Sequence, residues 1–337
     1  MTSRILGAIA AALLLTTLPA QAEPFRLIVT DLETPLVPNS VMDLAVQQGY
    51  FDREGVEVEL VRVQQTPSAL AAIQAGEGEM ANIGVDALLL LVAGGASDLR
   101  AVVSPNKSLP FLIASKEEVA TAADLAGRSF GVGRPGSLDQ TLSARVMAAN
   151  GIDTDGIEFV ALGQPNVRAQ ALVAGQVDAT TISIGVWSSI PDKSGLHVLI
   201  DQDAYYRAAP QVSKVNIVTE KVLEERRDDV KKVITALIKA SRDYAADSGV
   251  WVSAMQAALP NIEKATLDEL GTSFAKSWSV NGGLSKDELD ATVIELYKGE
   301  DFASLHPVTL DEWVDFSIVD EVLADLGTED SMDPATR

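Results

Sequence analysis

Two stretches of this chain read as copies of one unit. The first runs from Val41 through Gly55-Val-Glu-Val-Glu-Leu60, Ser68 to Gly76 and Met80 to Gly84. The second runs from Leu138 through Gly156-Ile-Glu-Phe-Val160, Val167 to Gly175 and Val177 to Thr181. Each follows the order helix, glycine turn, strand, helix, glycine, strand. Gly55 pairs with Gly156 and Gly76 with Gly175, an offset of roughly 100 residues. Solenoid repeats are far shorter, about 20–50 residues. A period this long predicts two similar α/β lobes, and two lobes facing each other enclose a cleft for a small ligand.

The start of the chain sets the expected location. Arg4 precedes an apolar run, Ile5 to Leu18, that is too short for a bilayer span of about 20 residues. Ala20-Gln21-Ala22 fits a small-residue cleavage site, so residues 1–22 read as a secretory signal peptide and Glu23 as the mature N-terminus. The expected destination is a periplasm. The chain contains no cysteine, which excludes disulfides, a thiolate nucleophile and thiolate metal ligands. A formal net charge of −22 over 337 residues argues against nucleic acid and anionic membrane surfaces. Any selectivity for an anion must therefore come from local groups.

Candidate ligand contacts fall where strands give way to helices, because helix starts offer free N–H groups and partial positive charge. Gly133-Arg-Pro-Gly-Ser137 is such a loop, with Arg134 as a bidentate cation, Gly136 allowing close backbone approach and Ser137 adding a hydroxyl. In the first lobe, Gln65 and Thr66 sit at a helix start, with Thr66 read as the N-cap before Pro67. Asp31 and Glu33 follow the first strand, and Asp86 follows Gly84-Val85; these acids suit a ligand amine. Ser183 and Trp187 follow the strand Asp178 to Ser183, Trp187 as an apolar wall. Tyr205, Tyr206 and Trp278 are weaker candidates of that kind. Ser40 is read as an N-cap, Arg168 as a surface residue and Asp139 as an acid that complements its helix dipole. Beyond Val215 to Thr219 the chain turns helical, over Lys221 to Ala246, Val250 to Ala258, Lys264 to Ser277, Lys286 to Lys298 and Leu310 to Leu326. Catalytic signals are weak: His197 lies in a strand-like run, His306 precedes Pro307, and no nucleophile–base pattern is legible. Gly131-Val-Gly133-Arg-Pro-Gly136 imitates a dinucleotide fingerprint, but Pro135 and the lack of an extended first βαβ unit argue against a nucleotide.

The segments Gln48-Gly-Tyr-Phe-Asp-Arg-Glu-Gly-Val-Glu-Val-Glu-Leu60, Asp124-Leu-Ala-Gly-Arg-Ser-Phe-Gly-Val132, Gly136-Ser137 and Ala171-Leu-Val-Ala-Gly-Gln-Val-Asp-Ala179 together resemble the periplasmic solute-binding proteins of ABC importers. The similarity is to the nitrate/sulfonate/taurine and thiamine-precursor (NMT1/THI5-like) group. The resemblance implies an α/β, two-lobe periplasmic-binding-protein-like fold of type II with an inter-lobe cleft and a helical C-terminal extension. It implies residues 23–112 plus 216–326 as lobe one, residues 113–215 as lobe two, and crossings near Leu112 to Ser115 and Ser213 to Val215. Residues 327–337, polar and containing a proline, read as a disordered tail. The implied function is capture of a small polar organic ligand, such as a sulfonate, taurine or nitrate-like anion, by hinge closure. The implied partners are a membrane permease and its ATPase, with the binding protein a monomer and no cofactor. Alternatives on the same scaffold are a pyrimidine or aromatic-acid receptor, an enzyme or a sensor. The scaffold's desulfinases and pyrimidine synthases use cysteine, which this chain lacks. Intact mass of protein recovered from the expressing cell is expected to correspond to a chain starting at or near Glu23; retention of residues 1–22 would contradict the signal peptide.

Overall fold

A computed structural model describes residues 23–95, 98–105, 111–133, 138–209, 211–299, 301–331 and 333–335. Ten strands run among them: β1 (Phe25–Val29), β2 (Val58–Arg62), β3 (Met80–Gly84), β4 (Leu99–Val103), β5 (Phe111–Lys116), β6 (Ser129–Val132), β7 (Glu158–Ala161), β8 (Ala179–Ser183), β9 (Leu196–Ile200) and β10 (Lys214–Thr219). They form two five-stranded sheets, in the orders β2-β1-β3-β10-β4 and β7-β6-β8-β5-β9. In each sheet the first three strands of the order are parallel and the fourth is antiparallel to both neighbours. The α/β two-lobe expectation therefore holds.

The two sheets are equivalent residue by residue. Lys214 pairs with Gly84 in the first, and Phe111 pairs with Ser183 in the second. The register slips at Asn216/Ile217 against β4 and at Ile113/Ala114 against β9, the same place in both sheets. The fourth strand of each sheet is the first that the chain lays down on arriving from the other lobe. Leu112 to Ser115 and Val215, expected at the crossings, thus lie within β5 and β10, and the crossings precede Phe111 and Lys214. Both segments are apolar enough to pair on two sides, which a linker is not. Asn82 donates to Asn216 Oδ1 at 2.8 Å, across a directly opposed pair in the buried middle of the first sheet. A one-residue slip would separate these amides, so they hold β10 in register.

The glycine turns follow the repeat with one change. Gly55, Gly76 and Gly175 adopt positive φ of 74°, 75° and 72°, as expected after a helix. Gly156 does not; it ends a 3-10 turn, Thr154–Gly156, and Gly151, at φ 79°, terminates the preceding helix Leu138–Ala149.

The C-terminal helices pack mostly on lobe one. Arg227–Ala246 buries Val230, Val233, Ile234, Leu237, Ser241 and Tyr244, a stripe at helical spacing. The expected single helix Lys221 to Ala246 is interrupted at Arg226, whose guanidinium bonds Asp229 at 2.8 Å and the Glu23 carbonyl at 3.1 Å. The expected helix Leu310 to Leu326 begins only at Ser317. Before it, Trp313 to Asp315 exchange backbone hydrogen bonds with Ala101 and cover the outer edge of β4. The tail departs from the expectation of disorder. Asp333 is buried, its carboxylate accepts the Asn281 N–H at 2.6 Å, and Asn281 Nδ2 donates to the Glu329 and Asp333 carbonyls. Composition alone missed this because the pairing is polar and its partner lies some 50 residues away.

Asn216→Ala leaves the Asn82 amide without its acceptor in a dry sheet interior, and an unsatisfied buried group costs about 1–3 kcal/mol. Chemical denaturation is expected to show a loss of that size, with Asn82→Ala/Asn216→Ala milder than either single variant.

Candidate functional site

The carboxyl ends of β1 and β3 and the first residue of β10 meet at one edge of the first sheet, where ligands sit in open α/β sheets. Thr30 and Asp31 follow β1, Gly84 ends β3, and Lys214 opens β10 beside Gly84. Lys214 Nζ donates to Thr30 Oγ1 at 2.8 Å. Burial lowers the Lys214 pKa below its ordinary value, with the charge of Asp31 acting in the opposite sense. Ser104 Oγ donates to the Lys214 carbonyl at 2.6 Å, fixing the strand start.

The loop from Asp31 to Ser40 is anchored at several points. Asn39 donates to Asp31 Oδ2 at 2.8 Å, and Arg62 donates to the Asp31 carbonyl at 3.1 Å and pairs with buried Asp43. Thr34 Oγ1 donates to Asp43 at 3.1 Å. Ser40 is no side-chain cap: a 3-10 turn, Pro38–Ser40, runs directly into the helix Val41–Gln47, and its hydroxyl accepts the Trp251 indole N–H at 3.0 Å. The loop is therefore tied to both the first sheet and the C-terminal helices.

In lobe two, Arg168 is buried, not on the surface. Its guanidinium donates to the carbonyls of Gly163 at 2.6 Å and Thr181 at 3.0 Å and lies 3.4 Å from Asp139. Burial lowers its pKa, and Asp139 opposes the shift. Asp139 does more than complement a dipole: it accepts the Gly133 N–H at 2.7 Å. These bonds join the ends of β6, β7 and β8. Helical spacing marked Arg168 as amphipathic but gave no sign that three carbonyl and carboxylate acceptors converge on it.

Ser183 caps the helix Ile184–Ser188, accepting the Val186 N–H at 3.3 Å. The backbone of that helix meets lobe one: a Cβ on Gly185 would lie 2.9 Å from the Leu36 carbonyl oxygen. Beside this contact is a cavity of about 880 Å³. Thr34 to Val37 wall it on the lobe-one side, with Leu259 and Ile262 from the helical extension; Ala169, Val173, Val186 and Ile190 wall it on the lobe-two side. Among the described residues its lining includes no Lys, Arg or His, and Glu33 and Asp192 are its acids. The hydroxyl of Thr34 is donated to Asp43, and that of Ser189 to the Gly185 carbonyl. The space suits an apolar body more than a bare ion.

Of the residues singled out from the sequence, Glu33 and Ser183 line this cavity. Asp31 and Thr66 belong to the lobe-one sheet edge. Thr66 is the first helical residue rather than the N-cap, which is Gln65, and its hydroxyl accepts the Gly84 N–H at 3.2 Å. Asp86 reaches back over Gly84, where an added Cβ would clash with its Oδ1. Gln65 is exposed and its side chain caps nothing. Trp187 is buried and borders a separate hollow of about 470 Å³ between lobe two and the helical extension. Tyr205 and Trp278 are core residues, and Tyr206 donates to Glu288 at 2.6 Å. Arg134, Gly136 and Ser137 lie outside the described residues. Lys214 and Thr30, at this sheet edge, were not singled out in the sequence; Lys214 opens the strand ahead of Val215-Asn-Ile-Val218.

A family model described as NMT1/THI5 like matches residues 41–248. No curated protein matches the chain. Among solved structures, the periplasmic aliphatic sulphonate-binding protein SsuA from Escherichia coli aligns over 75% of this chain and 79% of its own, at 19% identity and a TM-score of 0.59. The ligand-binding component of an ABC-type import system from Staphylococcus aureus aligns over 88% and 98%, at 13% identity and a TM-score of 0.66. The desulfurization enzyme DszB aligns over 90% and 99%, at 18% identity and a TM-score of 0.66. At these identities the structural matches establish the shared fold.

Gly185→Val places a branched side chain against the Leu36 carbonyl. Forced overpacking costs about 1–3 kcal/mol, roughly a 5- to 150-fold loss of the state in which the lobes touch. Small-angle scattering is expected to show a larger radius of gyration than for the parent protein; equal radii would mean that this contact does not set the lobe spacing.

Proposed function

This chain belongs to the NMT1/THI5-like family, and on that basis we propose that it is the solute receptor of an ABC importer. It takes a small organic solute between its lobes, closes on it, and presents the closed form to a membrane permease with its ATPase. The observation that carries this reading is the cavity walled by both lobes: a ligand touching both walls stabilises the state in which they meet. Its volume of about 880 Å³ lies within the roughly 300–1,000 Å³ of small-molecule sites, and its apolar lining is of the usual kind. An organic sulfonate or aromatic acid fits that space better than nitrate or taurine. The neighbour named for aliphatic sulphonate binding supports a sulfonate.

The receptor acts in the periplasm as a monomer, after removal of residues 1–22. No helix among the described residues is long and apolar enough to cross a membrane. The reading includes no chemistry on the solute. DszB shows that the scaffold also carries enzymes, but the absence of cysteine from this chain removes a thiolate nucleophile.

The test is a thermal-shift screen of alkanesulfonates, arylsulfonates and aromatic carboxylates, followed by scattering and mass spectrometry on a solute that binds. The radius of gyration is expected to fall on binding, and the solute to return unaltered after hours of incubation. Conversion of the solute would move the chain to the enzyme class, and binding without compaction would remove the clamp.

A further inference from the structure

The helical extension meets lobe two along a seam of side-chain hydrogen bonds. On the extension helix Lys286–Leu296, Glu288, Thr292 and Glu295 recur at helical spacing and form a stripe on one face. Each of them bonds lobe two or the crossing that leaves it. Glu288 accepts the Tyr206 hydroxyl at 2.6 Å, Thr292 accepts the Val212 N–H at 3.0 Å, and Glu295 accepts from the Arg145 guanidinium at 3.3 Å. Beside them, Gln202 donates to the Ser277 hydroxyl at 2.6 Å. Gln202 and Tyr206 stand one turn apart on the lobe-two helix Gln202–Ala208, and Arg145 stands on Leu138–Ala149. Leu289 and Leu296 of the same extension helix are buried in the hydrophobic cluster that contains β1, β3 and β10. One helix thus joins lobe one through leucines and lobe two through polar groups.

This division suits the seam to opening. Polar groups exchange their partners for water on separation, whereas exposing an apolar face costs free energy in proportion to its area. Glu295 is buried, and a buried carboxylate stripped of its cation is costly. It has a second cation, Lys298 at 2.7 Å, just beyond its own helix, which stays when Arg145 leaves. A hollow of about 470 Å³ runs along the seam between Gln202 and Asp203 on one side and Glu269 and Lys276 on the other, so the surfaces are not close-packed there. The Val212 bond differs from the rest. It lies on the crossing into β10, beside the pivot, while Arg145, Gln202 and Tyr206 travel with lobe two.

We propose that Arg145 and Tyr206 latch lobe two to the extension helix, and that this latch holds part of the solute-free receptor in the state where Leu36 and Gly185 meet. The proposal rests on the solute-receptor reading and adds what keeps the lobes together before a solute arrives. Neither residue lines the cavity between the lobes. The latch therefore acts on affinity only through the fraction of receptor already closed, since a solute binds in proportion to its competent state.

The test compares the double variant Tyr206→Phe/Arg145→Met, and Arg145→Lys alone, with the parent protein. Small-angle scattering is recorded with and without benzenesulfonate, and the same solute is titrated by calorimetry. Without solute, the double variant is expected to have a larger radius of gyration than the parent protein; saturated with benzenesulfonate, the two radii are expected to coincide. Affinity is expected to fall about 5- to 30-fold in the double variant, and Arg145→Lys, which keeps a cation for Glu295, to stay near the parent protein. Equal solute-free radii would overturn the latch, even with a lowered melting temperature, because the bonds would then stabilise the fold without setting the lobe spacing. Tighter binding by the double variant would overturn it too, since the bonds would then oppose closure. Parent protein that binds no solute would count against the receptor reading, while the solute-free radii would still decide the latch.

Discussion

Each sheet depends on one strand delivered from the opposite lobe. β10 enters the first sheet between β3 and β4, and β5 enters the second between β8 and β9. Neither strand lies at an edge, so the crossings are pinned within sheet interiors. The Asn82–Asn216 pair fixes this insertion in the first sheet. Because the register is fixed, the residue at the mouth of the strand is fixed too. That residue is Lys214 in one lobe and Phe111 in the other, and both positions follow from the same topological rule.

The rim is built mostly from contacts between residues distant in sequence. Arg168 gathers Gly163, Thr181 and Asp139, and Asp139 reaches Gly133. Asp43 gathers Arg62 and Thr34, while Trp251 takes Ser40. Each bond removes a donor or acceptor from the pool open to a ligand. What remains is a largely apolar cavity, which favours an organic body over a highly hydrated ion.

The repeat made the lobes legible in the sequence, because helix-closing glycines and apolar strands recur in the same order in both copies. Gly76 and Gly175 kept their roles; Gly156 lost its role to Gly151, since one extra 3-10 turn separates helix from strand in the second copy. Side-chain roles were less legible. A serine before a helix reads as a cap, yet Ser40 faces an indole that lies 211 residues later in the sequence. Arg168 has the spacing of a half-exposed helix position, and only the fold shows which way it turns. Lys214 is one lysine among many until its strand neighbours are known. The polar tail looked unstructured because its anchor is a buried carboxylate meeting backbone N–H groups, a pairing with no hydrophobic signature.

The late insertion of β10 also orders assembly. Residues 111–200 contain all the strands of the second sheet, so that sheet can close on itself as soon as its segment is available. The first sheet cannot: β3 must wait for a partner that begins 130 residues beyond its own end, at Lys214. Until then β3 presents an apolar edge with unpaired N–H and C=O groups, a template for pairing with other chains. Loop closure over such a separation is slow, and exposed edges of this kind lead to aggregation. The lobe that begins first is completed last, and a chain interrupted before β10 would leave that edge open.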